Sequence, residues 1–220
     1  NNNNSNNNKN TCTSRPLERA MALQAPLEIR IITCMCSRSR LIGLRGDLPW
    51  RLAPDLAHFR QLTAGGAALI GRKSYEEALQ THPSGLTSSP VCVLTRSGNF
   101  SRSDGTVVTA SSVRQGLQTM QCIPRPLSGI VWVMGGAEIF REALSSAKAI
   151  SMTLITDGFD SQAAGVDEPD AEAVYFPAEW QEFFEPDEAC SGESHFDPDS
   201  GLTYEFREFV ARRARVTDGD

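Results

Sequence analysis

The chain has 220 residues, of which 40% are hydrophobic and 22% are charged, a composition typical of one globular domain. Its formal charge is −6, from 21 basic and 27 acidic side chains, which argues against a nucleic-acid-binding surface. No apolar run approaches the roughly 18 residues that a membrane span requires. The composition therefore predicts a globular protein that binds neither nucleic acid nor a membrane.

Both ends of the chain and one internal segment differ in composition from a folded core. Residues 1–26 begin with NNNNSNNNKN and have no sustained periodicity, which predicts a disordered Asn-rich tail, native or added. The folded domain is predicted over 27–213 and a C-terminal tail over 214–220. Within the domain, 157–172 holds six acids and no base, which predicts a solvated surface insertion.

The six cysteines are few for the length, and none belongs to a C-x-x-C motif. They favour a reduced, cytoplasmic protein over a disulfide-bonded one. Cys34 and Cys36 would face the same side of a strand, where structural thiols are commoner than reactive ones. The three histidines are scattered along the sequence, so no metal site is expected.

From Leu27 onward, apolar runs that predict buried strands alternate with segments of helical spacing. The predicted strands are 27–36, 67–70, 91–94, 106–110, 130–134 and 149–155. The predicted helices are 54–62, 74–79, 111–119 and 137–144. This alternation implies one α/β domain with a mainly parallel central sheet and flanking helices. WQEFFEP and LTYEFREFV, around a loop that contains HFDPDSG, predict a C-terminal antiparallel hairpin at one edge.

The first candidate site follows the predicted strand 67–70 and reads GRKS. Gly71 permits a tight turn, and Ser74 can cap the next helix. Arg72 and Lys73 would lie beside the N-terminus of that helix, where backbone N–H groups favour an anion such as phosphate. Taken alone, the motif is better explained by two solvated surface charges.

The second candidate site is the Gly135-Gly136 pair, which directly follows the predicted strand 130–134. Consecutive glycines let the backbone approach a ligand closely or adopt a conformation closed to other residues. The pair lacks the spacing of the G-x-G-x-x-G fingerprint, and a plain turn explains it equally well.

The third candidate site is the segment IGLRGDLPWRLAPDLAHF. Pro54 suits the first position of a helix, so Asp55 falls in the first turn, with Phe59 and Leu62 on the same face. A first-turn aspartate is common, but a carboxylate on an apolar face requires a partner. Asp55 is therefore a candidate functional group.

In order and spacing, these motifs resemble the dihydrofolate reductase family over about 29–209. The matching residues are Ile42-Gly43, Leu48-Pro49-Trp50, Pro54-x-Asp55 with Phe59, Gly71-Arg72-Lys73-Ser74, Leu94-Thr95-Arg96, Gly135-Gly136-Ala137-Glu138-Ile139-Phe140, Thr153, Phe176-Pro177 and the closing TYEF. Several motifs in the family's order are far more specific than any one of them.

The resemblance implies NADPH-dependent reduction of 7,8-dihydrofolate to 5,6,7,8-tetrahydrofolate, by hydride transfer to C6 and protonation at N5. The implied catalytic residues are Asp55, Trp50 and Thr153, of which Asp55 would hydrogen-bond the pterin. The substrate-binding residues would be Met35, Leu56, Phe59, Arg60 and Met134. The cofactor-binding residues would be Ile42, Gly43, Leu48, Gly71, Arg72, Lys73, Ser74, Leu94, Thr95, Arg96, Gly135, Gly136, Ala137, Glu138, Ile139 and Phe140. Gly135 and Gly136 resemble the family's cis Gly-Gly pair. The implied partners are dihydrofolate and antifolate-type small molecules, bound by a monomer.

The sequence departs from the family in three places. The arginine that usually binds the glutamate tail of the substrate is replaced within 87–90, and Arg60 is the candidate substitute. Phe140 stands where Tyr is usual. The acidic insertion lengthens the connection between Thr153 and Phe176.

Two other functions remain open at this point. A related NADPH-dependent pterin or pyrimidine reductase, as in riboflavin synthesis, shares such a sheet but is not expected to carry LPW followed by P-x-D. A non-catalytic folate- or nucleotide-binding module would follow if the pocket were defective. The intact Asp55, Trp50 and Thr153 argue against such a module.

Overall fold

The computed structural model describes residues 26–81, 86–96, 100, 107–123, 128–168, 170–190 and 192–212. The predicted tail 214–220, and the N-terminal tail apart from Pro26, lie outside these ranges. No helix within them has both the length and the apolar character needed to span a bilayer.

The described residues form strands and helices that alternate through most of the chain. The strands are β1 (Glu28–Cys36), β2 (Leu41–Gly43), β3 (Ala67–Gly71), β4 (Val91–Leu94), β5 (Val107–Ala110), β6 (Ile130–Val133), β7 (Ala149–Asp157), β8 (Val174–Tyr175), β9 (Phe184–Pro186), β10 (Ser194–Asp197) and β11 (Leu202–Ala211). The helices are α1 (Ala53–Thr63), α2 (Arg72–Thr81), α3 (Val113–Gln121), α4 (Ala137–Ala143) and α5 (Trp180–Phe183).

The central sheet has the strand order β10-β11-β7-β1-β6-β3-β4-β5, with β9 paired to β11 outside this path. The run from β7 to β5 is parallel throughout. At one edge, β11 pairs antiparallel with β7, β10 and β9. The predicted α/β fold, with a mainly parallel sheet and an antiparallel edge, is confirmed.

The C-terminal antiparallel edge is built only partly as predicted, because within WQEFFEP only Phe184–Pro186 forms a strand, β9, which pairs with β11. Trp180–Phe183 forms the helix α5, so the expectation of a strand over the whole of WQEFFEP is wrong. The partner of β11 in the hairpin is β10, which lies partly within the predicted loop HFDPDSG. The helical turn buries Trp180 against the Phe209 ring, with centroids 4.8 Å apart. Over four residues, the apolar spacing of a strand cannot be told from that of a helix.

Three helices begin at residues other than those predicted. Helix α2 follows β3 without a loop, so Ser74 is its third residue and not its cap. Helix α1 begins at Ala53, which makes Pro54 its second residue. Helix α3 begins later, because the Ser112 hydroxyl accepts the N–H of Gln115 at 3.2 Å and caps the helix there.

Strand β1 contributes to two cores, because successive side chains of a strand point to opposite faces of the sheet. Ile31 and Met35 belong to the larger core, which includes Phe140. Cys34 belongs to a smaller core with Trp50. This smaller core lies on the sheet face that α1 crosses.

The acidic segment 157–172 is not simply a solvated insertion. Its six acids are exposed, and its backbone is folded into consecutive turns. Phe159 and Val166, however, pack against the smaller core, and Ala171 is buried. The segment thus has an inner apolar side and an outer charged side.

Candidate active site

Asp55 lies half-buried in the first turn of α1 and faces the middle of β7. The hydroxyl of Thr153, which is only 3% exposed, hydrogen-bonds its carboxylate. Burial raises the pKa of Asp55, and the bond from Thr153 opposes that rise. A carboxyl group in this setting retains its proton to a higher pH than a solvated aspartate.

Trp50 and Cys34 complete a compact group around Asp55. The Trp50 Nε1–H donates to Cys34 Sγ at 3.1 Å, and both side chains are buried. Cys34 on β1 is in register with Thr153 on β7. Burial raises the pKa of the Cys34 thiol well above its usual range, and the neighbouring Asp55 charge raises it further. We call Asp55, Thr153, Trp50 and Cys34 the acid cluster.

The rest of α1 extends from the acid cluster along the face of the sheet. Leu56 and Phe59, which the family resemblance assigns to substrate binding, are half-buried, whereas Arg60 is exposed. His58 stacks on Phe206 of β11 with ring centroids 4.0 Å apart, and burial lowers its pKa. Sequence reasoning did not single out His58, although its position three residues after Asp55 puts the two on neighbouring parts of the helix surface.

The ends of β3 and β6 form a junction made of glycines. The Gly71 N–H donates to the Gly135 carbonyl at 2.7 Å. A Cβ atom on Gly71 would lie 3.4 Å from both Gly135 O and Gly136 N, and one on Gly135, where φ is +102°, would lie 3.0 Å from the Phe140 ring. The Gly135–Gly136 peptide bond is cis, as the family pattern implied. The absence of side chains at these positions lets the ends of β3 and β6 and the Phe140 ring pack closely together.

Three cations surround the glycine junction. Arg72 and Lys73 are exposed in the first turn of α2, and Arg72 pairs with Glu76 at 3.7 Å. Arg96 is exposed just beyond the end of β4, which neighbours β3 in the sheet. These cations and the N-terminus of α2 create a positive region suited to a phosphorylated ligand. The flanking Leu94 and Thr95 are buried.

Ser74 and the residues of α4 border the same junction. Ser74 lies close enough that a Cβ atom on Gly136 would be 3.5 Å from its hydroxyl. Helix α4 begins at Ala137, directly after Gly136, so the following residues Glu138, Ile139 and Phe140 form its first turn. Phe140 is buried in the larger core, and Glu138 is exposed.

The side chains of Met35 and Met134, which the family resemblance assigns to substrate binding, lie outside the acid cluster. Met35 points into the larger core, on the face of β1 opposite Cys34, so its side chain does not join the acid cluster. Met134 is half-buried beside a third core that contains Tyr75, and its N–H donates to Leu69 O at 2.9 Å. Only the backbone of Met35 can face a ligand bound beside Asp55.

The segment 43–50, which joins β2 to the region of α1, is held by the acidic segment. Arg45 forms an ion pair with Glu168 and donates to Ala164 O at 3.2 Å, while its own N–H donates to Ala171 O at 3.0 Å. Strand β2, with Ile42 and Gly43, pairs with β8 in a small separate sheet. Neither this pairing nor these contacts was predicted from the sequence.

Leu48 in this segment is 44% exposed, which is unusual for a large apolar side chain. Ile42, by contrast, packs against the larger core. An exposed leucine next to a buried tryptophan suits a segment that covers a ligand.

Within 87–90, where the family resemblance places a tail-binding arginine, the structure has hydroxyl side chains that bond to the end of α1. Ser88 is 3% exposed and donates to Thr63 O, at the end of α1, at 3.2 Å. The Thr63 hydroxyl in turn lies 3.0 Å from that of Thr87. These side chains contribute no cation to this end of the helix.

A half-buried acid against the face of the sheet, together with a glycine junction and three cations at the carboxyl ends of β3 and β4, is typical of an α/β enzyme that binds a phosphorylated cofactor beside its substrate. The family model for dihydrofolate reductase matches residues 28–197. The chain therefore belongs to the dihydrofolate reductase family, and it is an oxidoreductase.

Individual relatives agree with this assignment. The chain is 31% identical over 125 residues to dihydrofolate reductase of Mycobacterium tuberculosis, covering 57% of this chain and 70% of that one. It is 37% identical over 131 residues to a bifunctional dihydrofolate reductase-thymidylate synthase of Glycine max, covering 54% of this chain and 24% of that one. The structure of an Enterococcus faecalis dihydrofolate reductase, complexed with NADP(H) and RAB-propyl, superimposes with a TM-score of 0.65 at 19% identity. That match covers 84% of this chain and 97% of the other.

Proposed function

We propose that this chain reduces 7,8-dihydrofolate to 5,6,7,8-tetrahydrofolate with NADPH as the reductant. The observation that carries the proposal is Asp55, a half-buried carboxyl with a raised pKa that Thr153 orients beside Trp50. The family match over 28–197 and the named relatives support it. The proposed reaction is a step of tetrahydrofolate biosynthesis and serves one-carbon metabolism.

Asp55 would act on the pterin ring and not on the cofactor. Its carboxylate would accept hydrogen bonds from the 2-amino group and N3, with Thr153 holding the carboxyl oxygens in place. Burial raises the pKa of Asp55, so its carboxyl holds a proton to a higher pH than a free aspartate does, and the proton for N5 would arrive through water. Leu56 and Phe59 would pack against the substrate from the same helix, and the backbone of Met35 and the residue Met134 would line the pocket at the strand ends.

The residues at the glycine junction fit NADPH. Gly71 and Gly135 let the backbone and the Phe140 ring pack closely at the ends of β3 and β6. The cofactor would lie against this junction, with Gly136, Ala137, Glu138, Ile139 and Phe140 beside it. Arg72, Lys73, Ser74, Thr95 and Arg96 would bind the phosphates, including the 2′-phosphate, and Ile42, Gly43, Leu48 and Leu94 would complete the site. NADPH would supply the hydride that adds to C6.

The direct test follows absorbance at 340 nm with NADPH and dihydrofolate, and repeats it with NADH. We expect dihydrofolate-dependent oxidation of NADPH and much slower oxidation of NADH. A chain that binds NADPH but oxidises it only with a riboflavin-pathway pyrimidine would instead support the related reductase. We also expect antifolate-type small molecules to compete with dihydrofolate.

Residues 27–213 would form the catalytic domain, and we propose that it acts as a monomer in the cytoplasm. The described cysteines support a reducing compartment, because Cys34, Cys36, Cys92, Cys122 and Cys190 are all free thiols. Sedimentation of the full chain tests the monomer.

Arg60 is the proposed substitute for the missing tail arginine. Arg60→Ala should raise the KM for dihydrofolate roughly fivefold, since an exposed charge pair contributes up to about 1 kcal/mol. A dihydropterin without the glutamate should be reduced equally well by both proteins. A preference for dihydrofolate that survives Arg60→Ala would contradict this assignment.

A further inference from the structure

Two side chains with no part in the proposed reaction touch the Trp50 indole. Cys34 Sγ accepts its Nε1–H at 3.1 Å. The Phe159 ring meets it edge to face, with centroids 5.2 Å apart and planes at 83°. Cys34 belongs to the first strand of the sheet, whereas Phe159 belongs to the acidic segment 157–172. Two distant parts of the chain therefore meet at one tryptophan.

The bond to sulfur fixes the direction of an N–H group that water cannot reach. Trp50 is 6% exposed, and indole nitrogen can donate but cannot accept. A buried donor requires a partner, and sulfur is a weak one. Among the described residues, the indole N–H has one weak hydrogen bond, and a side chain without an acceptor at position 34 would remove it.

Trp132 shows why the contact matters at Trp50 in particular. The Trp132 indole N–H is buried without a hydrogen-bond partner among the described residues. The position of Trp132 does not depend on such a partner, because it lies within β6 and its backbone pairs with two neighbouring strands. Trp50 lies between β2 and α1, outside any helix or strand. Its ring position therefore depends on side-chain contacts.

Cys34 also links Trp50 to the acid of the site. It is paired in register with Thr153, whose hydroxyl bonds Asp55. A rotation of the indole away from the sulfur would therefore alter the wall of the pocket next to the Asp55 carboxyl.

We propose that Cys34 and Phe159 are positioning residues that hold the Trp50 indole beside Asp55. The thiol sets the direction of the N–H, and the phenyl ring packs against the indole from the acidic segment. Neither side chain touches the reacting atoms. The effect on turnover rests on the proposed function, whereas the effect on the indole does not.

The test uses the ¹H–¹⁵N spectrum of the full chain, in which the three tryptophans give three indole N–H resonances. Trp50→Phe identifies the resonance of interest. Cys34→Ala should shift that resonance and speed its exchange with solvent about tenfold, because the bond no longer protects it. The KM for dihydrofolate should rise roughly fivefold, which corresponds to the loss of one weak hydrogen bond. Cys34→Ser keeps an acceptor and should restore slow exchange and most of the wild-type KM.

Cys36→Ala is the matched control, because Cys36 lies on the same strand, in the same core and at the same 7% exposure, but does not contact the indole N–H. It should leave the Trp50 resonance in place. Phe159→Leu keeps apolar volume and should shift the same resonance through the lost ring, without faster exchange.

An unchanged Trp50 resonance in Cys34→Ala, or an equal shift in Cys36→Ala, would overturn the proposal. So would a Cys34→Ser protein that resembles Cys34→Ala in both exchange and KM. If no variant, nor the wild type, reduces dihydrofolate, the proposed function fails, and the exchange rates still decide the positioning role.

Discussion

Asp55→Asn should lower turnover with dihydrofolate at pH 7 by at least ~10²-fold, the usual scale for loss of acid–base assistance. The amide keeps the shape of the carboxyl, so the fold and the contact with Thr153 have no reason to collapse. Steady-state rates at 340 nm, together with a circular dichroism spectrum, measure both effects. Near-wild-type activity at pH 7 would refute the role of Asp55.

The same substitution has a predictable effect on stability. Burial raises the pKa of Asp55, so the folded state binds its proton more tightly than the unfolded state does. Ionising this carboxyl therefore costs stability, and the cost grows as pH rises from about 4, the pKa of a free aspartate, through the raised value. Asp55→Asn should be at least as stable as the wild type at pH 7, and this difference should vanish below about pH 4. Asp199→Asn, at an exposed turn, is the control and should change neither rate nor stability.

Replacing both Arg72 and Arg96 with Gln should raise the KM for NADPH by at least ~30-fold. A cation paired with a ligand phosphate and shielded by the bound ligand contributes ~2–5 kcal/mol, and 1.4 kcal/mol corresponds to a factor of ten. NADH lacks the 2′-phosphate, so its KM should change far less. Initial rates with each cofactor at saturating dihydrofolate give the comparison.

Arg212→Gln is the control for this loss of charge. Arg212 is an exposed arginine that follows β11 and pairs with Glu185. Strand β11 ends beside the first residue of β7, far along the sheet order from β3 and β4, which Arg72 and Arg96 follow. Equal losses with NADPH and NADH in the double variant would mean that Arg72 and Arg96 do not recognise the 2′-phosphate.

The parallel part of the fold could be predicted because its strands are continuous apolar runs. The observed β1, β3, β4 and β6 begin and end within one residue of the predicted bounds, and β7 continues two residues further, to Asp157. Strands β2 and β8, with three and two residues, are too short to show any period. The pairing of β2 with β8 depends on how two distant segments of the chain come together, and the periodicity of a short sequence cannot predict this.

The candidate site could be predicted in part. Asp55 stood out because its carboxylate falls on an apolar stripe, but its bond to Thr153 depends on how α1 crosses the sheet. The family resemblance supplied that partner. The sequence pattern predicts that Cys34 is a structural thiol. Its contact with Trp50 could have been suspected, because a tryptophan outside the predicted helices and strands needs an acceptor for its N–H.

The acidic segment shows a different limit. Its average composition predicts solvation, because six acids outweigh the few apolar residues. Phe159, Val166 and Ala171 nevertheless face inward, since turns can direct isolated side chains toward a core without any regular period.

The folded acidic segment also makes the distribution of charge over the enzyme uneven. Its six acids equal the whole net charge of −6, so the rest of the chain is neutral overall. The ion pair of Arg45 with Glu168 holds the acidic segment, and with it the negative charges, next to 43–50. Arg72 and Arg96 lie elsewhere, just after the ends of β3 and β4. We expect a polyanionic dinucleotide to be repelled by the first region and attracted by the second, which would orient it before it makes contact. That guidance weakens with added salt, as the screening length falls to about 8 Å at 0.15 M.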